Sequence, residues 1–108
     1  MHPQAIKGHL DMLLLAVIQA GATHGYAIAE ELRRASGGAF DLQDGTIYPA
    51  LRRLEERGLV ESTWDERTGR RRRMYALTAE GRRQVKAQRT DWTRFERAVH
   101  GVLALRPQ

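Results

Sequence analysis

A chain of 108 residues with a formal net charge of +5 is long enough for one domain with a modest core and no more. It has no cysteine, which excludes disulfides, thiolate metal sites and a cysteine nucleophile together. Aromatic residues make up only 6% of it, so Leu, Ile, Val and Ala have to supply most of the packing.

Residues 6–20 set Leu10, Leu13, Leu14, Val17 and Ile18 at helical spacing. Met12, Leu15 and Ala16 fill much of the remaining circumference. Such a helix must be covered from more than one side, and a second subunit is the expected second cover. The apolar run 12–18 is too short for a bilayer, which takes about 20 residues. With no cationic leader or cleavage site before it, the chain is expected to be cytoplasmic. A GATHG turn follows, with Thr23 a candidate N-cap. The second helix is expected over 24–35, with Ile28, Leu32 and Ala35 as its stripe and Gly37-Gly38 as its stop.

The third helix is expected to begin near Asp44 to Thr46, with Pro49 setting its start close to Thr46, and to end at Gly58. Pro49 belongs in a first turn, where its missing N–H would be unpaired anyway. Ile47, Leu51 and Leu54 face inward, which leaves Thr46, Tyr48, Pro49, Arg52 and Arg53 outward. Residues 59–64 and 73–77 read as two strands of a hairpin turned at 67–69. Thr78 then caps a final helix over 79–105. Its apolar residues Val85, Trp92, Phe95, Val99 and Val102 follow an a/d seam, the pattern of a dimer interface. The expected fold is mainly α with a small β component (α+β). It is a winged helix-turn-helix over 1–78 with a long C-terminal dimerisation helix over 79–108, forming one compact unit.

Charge is concentrated in the hairpin. Arg67, Arg70, Arg71, Arg72 and Arg73 together equal the net charge of the whole chain. Such an excess, directly after a short helix, points to a polyanion.

Three segments carry a family resemblance: HGYAI at 24–28, GTIYPALRRLEERGLVES at 45–62 and RRRMYALTAEG at 71–81. They resemble the PadR family of bacterial transcription regulators. The first looks like its HGY signature, the second its recognition helix and first wing strand, the third its second wing strand and Y-x-L-T-x-x-G exit. The single final helix is similar to that of the short subfamily. The resemblance implies a homodimeric repressor on double-stranded DNA with a palindromic operator. Its two recognition helices would lie about one turn apart, roughly 34 Å.

On that reading the third helix enters the major groove. Thr46, Tyr48 and Pro49 lie nearest the base edges, and Arg52 and Arg53 reach phosphate or guanine. Tyr26 contacts the backbone, and Arg70, Arg71 and Arg72 bring the wing to a narrow minor groove. Each assignment has a plainer alternative: a solvated arginine turn, a core role for Tyr48, a packing staple at Tyr26. Tyr75 and Trp64 are assigned to wing packing, and His24 to a structural hydrogen bond.

In some PadR-like regulators a tryptophan on the final helix lines an interface cavity where flat aromatic compounds stack. Trp92 is comparable, and Trp92, Phe95, Leu14 and Ile18 are the candidate pocket for a planar effector; the alternative is interface packing. Glu96 and His100, one turn apart, with His2 and His9 nearby, are a weaker Zn²⁺ alternative. No cofactor is expected. The chain has no Gly-rich phosphate loop and no H-E-x-x-H, so it is not expected to be an enzyme. A winged helix binding an acidic protein is the rival function.

Overall fold

The computed structural model describes residues 9–67, 69 and 71–108. Its elements run α1 (Leu10–Gln19), α2 (Gly25–Ala35), α3 (Asp44–Glu56), β1 (Val60–Asp65), β2 (Arg72–Leu77) and α4 (Ala79–Leu103). Mainly helical with one two-stranded antiparallel sheet, this is the winged-helix architecture with a long last helix.

Leu10, Leu14, Leu15, Val17 and Ile18 of α1 are all buried. Its cover comes from α2, α3, β2 and α4 within the same chain. The expected second cover by another subunit is therefore not needed for most of α1. The four neighbouring elements close around it, and Met12 and Leu13 are left partly exposed. Among the described residues no helix is long and apolar enough to cross a membrane.

Helix α2 is capped by His24 rather than Thr23. His24 has extended backbone, and its Nδ1 faces the Ala27 N–H at 3.4 Å. Thr23 is instead drawn into the sheet. Its carbonyl accepts the Tyr75 N–H at 2.6 Å, and a lone bridge pairs His24 with Met74. The segment before α2 thus borders β2 on the edge that β1 leaves open. At the other end Gly37 has φ +63°, and the Gly38 N–H reaches back to the Arg33 carbonyl at 2.8 Å. That left-handed stop is the one expected of a Gly-Gly pair.

Helix α3 begins at Asp44, the early end of the expected range, because the N–H groups of Thr46 and Ile47 both bond the Gln43 carbonyl. Pro49 consequently sits in the second turn and cannot bond the Gly45 carbonyl. Gly45 is exposed, so solvent or a ligand can replace that partner. Ile47, Ala50, Leu51 and Leu54 are buried as one stripe.

The strands pair in a register that sets Val60 opposite Leu77, Ser62 opposite Tyr75 and Trp64 opposite Arg73. Thr78 ends the sheet and starts α4. Its hydroxyl accepts the Gly81 N–H at 3.0 Å and donates to the Gly58 carbonyl at 2.6 Å. Gly81 is required there, since a Cβ would collide with the Leu59 carbonyl. Val85 completes the core from α4. Past Gln88 every residue of the helix is exposed. At 1.5 Å per residue its 25 residues extend about 37 Å.

Candidate nucleic-acid interface

The inward side of the hairpin continues beyond the core. Val60 and Leu77 are buried; the next pair on that side is Ser62 and Tyr75, then Trp64 and Arg73. Period-two alternation thus runs one face of the wing from core to solvent. Between this face and α3 lies an open groove of about 970 Å³, bordered by His24, Tyr26, Tyr48, Arg52, Glu55, Trp64, Tyr75 and Arg71 to Arg73. Tyr75 forms its buried wall, and burial pushes its hydroxyl above the ordinary tyrosine value.

Pairing organises the arginines. The Arg73 Nε donates to Ser62 Oγ at 2.8 Å, and Ser62 Oγ in turn bonds Glu55 Oε2 at 2.7 Å. Arg73 also approaches Glu55 itself at 3.7 Å, so a residue of α3 anchors the wing. Arg71 pairs with Glu66 at 3.3 Å. Arg67 pairs with Asp65 at 3.0 Å through its side chain and again through its backbone N–H. The Arg67 side-chain bond, then the backbone bond, hold the Asp65 carboxyl below its ordinary value. The uniform +5 patch read from the sequence is therefore partly neutralised, and Arg67 is a turn-holding residue. Arg70 and Thr68 lie outside the described residues, as does His2.

Arg72 turns from this face toward α2. Its Nη1 stands 3.2 Å from His24 Nε2. Burial, and next the Arg72 charge, hold the imidazole below its ordinary value. Both ring nitrogens face donors, whereas a neutral imidazole accepts at only one of them and an imidazolium at neither. The ring therefore serves either the Ala27 N–H or Arg72, and protonation would lose both.

The outward residues of α3 are where the sequence sets them: Thr46, Tyr48, Pro49, Arg52 and Arg53 are exposed. Tyr48 is half-exposed because its ring lies against Gly25, where a Cβ would come within 2.6 Å of the ring. Tyr26 projects freely, 70% exposed. Trp64, assigned to packing from the sequence, is half-exposed and carries two guanidiniums over its ring. Glu55, Ser62, Trp64 and Arg73 were not picked out as site residues. Strand alternation outward from the buried Tyr75 was the signal that groups the last three.

The candidate effector residues are not brought together in one subunit. Leu14 and Ile18 belong to the core, as does Val85 of the expected seam. Trp92 and Phe95 line a separate cleft of about 300 Å³ with His9, Met12, Gln88 and Asp91. The His9 and Trp92 rings meet edge-on at 5.1 Å. Val99 and Val102 are exposed further along. Glu96 and His100 are exposed on α4, and no group of three potential metal ligands occurs among the described residues.

A winged helix with an arginine-lined groove beside its third helix defines a class, the winged helix-turn-helix regulators. Residues 14–87 match the model of the transcriptional regulator PadR-like family. A transcriptional regulator of Mycobacterium tuberculosis is 36% identical over 78 residues, 72% of this chain and 70% of that one. Among solved structures, a PadR-like regulator of Bacillus cereus superposes with a TM-score of 0.83 at 26% identity, over 95% of this chain and 99% of its own. A transcriptional regulator of Clostridium thermocellum gives 0.81 at 28% identity, over 91% and 96%. The chain belongs to the PadR-like family of transcriptional regulators. Family and fold are those of regulators, not of enzymes.

Proposed function

We propose that the protein is a homodimeric repressor in the cytoplasm that reads a palindromic operator with α3 and grips the flanking strands with its wing. The observation that carries this reading is the groove between α3 and the wing, with Arg52, Arg71, Arg72 and Arg73 all bordering it. A duplex that places α3 in its major groove would run one sugar–phosphate strand through that channel. Thr46, Tyr48 and Pro49 then stand nearest the bases, with Arg53 and Tyr26 on adjacent backbone. Residues 79–108 would form the dimerisation segment, through Trp92, Phe95, Val99 and Val102, all exposed along α4. An aromatic effector would enter the Trp92 cleft, where a second subunit would complete the walls.

A mobility shift with DNA from upstream of its own gene, against unrelated competitor, tests the DNA reading. A discrete complex that survives competitor is the expected result. Absence of binding even at low salt would move the arginine groove to an acidic protein partner.

A further inference from the structure

Trp64 is half-exposed and stands outside the hydrophobic core cluster, yet it is not idle. The Arg71 guanidinium carbon lies 4.2 Å from the centre of its ring, and that of Arg73 lies 4.9 Å away. We propose that Trp64 is the positioning residue of the wing, holding the Arg71 and Arg73 guanidiniums toward the groove for the phosphates of one DNA strand. This inference rests on the DNA-binding reading above and deepens it.

The two arginines need different amounts of help. Arg73 is already fixed by Ser62 and Glu55. Arg71 has Glu66 at 3.3 Å, but both side chains are more than half exposed, at 60% and 71%. Exposed ion pairs hold long side chains weakly and weaken further with salt. An indole face instead attracts the cation through its quadrupole and takes water off one side of the guanidinium plane. A stacked guanidinium keeps its N–H edge free. Arg71 can therefore exchange Glu66 for a phosphate without leaving the ring. Arg72, on the opposite side of the strand, is outside this arrangement and faces His24 instead.

The test measures anisotropy of a fluorescein-labelled duplex from the region upstream of the gene, titrated at several salt concentrations. Trp64→Ala is expected to raise Kd about tenfold and to flatten the log–log salt slope by about one unit. Trp64→Phe should recover most of the affinity, whereas Trp64→Leu, apolar but without an aromatic face, should behave like Trp64→Ala. In an Arg71→Ala/Arg73→Ala background, Trp64→Ala should change Kd by less than about twofold, since its effect passes through those side chains. Wild-type Kd and slope in Trp64→Ala would overturn the inference while leaving the DNA reading intact. An undiminished loss in the arginine-free background would also overturn it, because Trp64 would then touch DNA directly. A wild-type protein that binds no duplex would remove the DNA reading and this inference with it. Melting temperatures of the three Trp64 variants close to wild type are expected, because the ring packs outside the core.

Discussion

Arg72 meets His24 at 3.2 Å across 48 residues of sequence, joining the outer end of β2 to the N-cap of α2. The neighbouring Thr23–Tyr75 backbone bond and the His24–Met74 bridge make the same connection through the sheet. The wing is thus held along the open edge of β2, while Ser62 and Arg73 tie it to Glu55 of α3.

That contact has a pH signature. The folded His24 pKa is depressed, by burial first and by Arg72 second, so above pH 6.5 the ring is neutral both folded and unfolded. As pH falls below 6.5, the unfolded chain takes up the proton more readily, and stability declines until the folded pKa is passed. Thermal melting should show this loss as pH falls below about 6.5, before the carboxylates begin to titrate. His24→Asn keeps an N-cap side chain without a titrating group. It should flatten the slope in that window, and an unchanged slope would place the titration elsewhere.

Two glycines should respond differently to alanine. At Gly81 the new Cβ meets the backbone carbonyl of Leu59, which cannot move without displacing the start of β1. Gly81→Ala should cost about 1–3 kcal/mol and lower the melting temperature by about 5–20 °C. At Gly25 the obstacle is the Tyr48 side chain, which can swing away. Gly25→Ala should therefore cost less stability but displace a residue of the proposed DNA face, read as weaker operator binding with near-normal melting.

Recognition-helix arginines should separate from wing arginines in sequence dependence. If Arg52 and Arg53 both reach phosphate, Arg52→Ala with Arg53→Ala flattens the salt slope by about two units on every duplex. If either reads guanine, operator binding falls more than binding to unrelated DNA, by about 1–3 kcal/mol per bidentate contact. Competition titrations with the two duplexes distinguish these outcomes.

Phe95 is 59% exposed and tilts against Trp92 at 5.9 Å, in the middle of the apolar line on α4. Phe95→Asp should split the proposed dimer, because a carboxylate there would be desolvated in an interface but solvated in a monomer. Sedimentation velocity is expected to show a folded monomer. A dimer of unchanged strength would move the interface off this face. Saturable quenching of Trp92 by planar aromatic compounds, lost with dissociation, would support the shared pocket.

Local chemistry was readable in the sequence. Helical periodicity, the Gly37-Gly38 and Gly58 stops, the Thr78 cap and the alternation of the wing depend on neighbours a few residues apart, and each appears in the structure. So does the outward set on α3, because one side of a helix is defined by its own spacing. Tertiary structure decided what depends on register and close approach. It made His24 the cap of α2 by drawing Thr23 into the sheet. It set the start of α3 at Asp44, which puts Pro49 in the second turn, and it buried α1 within its own chain. It also divided the four described arginines of the hairpin, which look equivalent in sequence. Arg67 goes to the turn, Arg72 to His24, and Arg71 and Arg73 to Trp64. Sequence counts their charge, but the carboxylate, imidazole or indole that holds each one is set by strand pairing and by packing on α2 and α3.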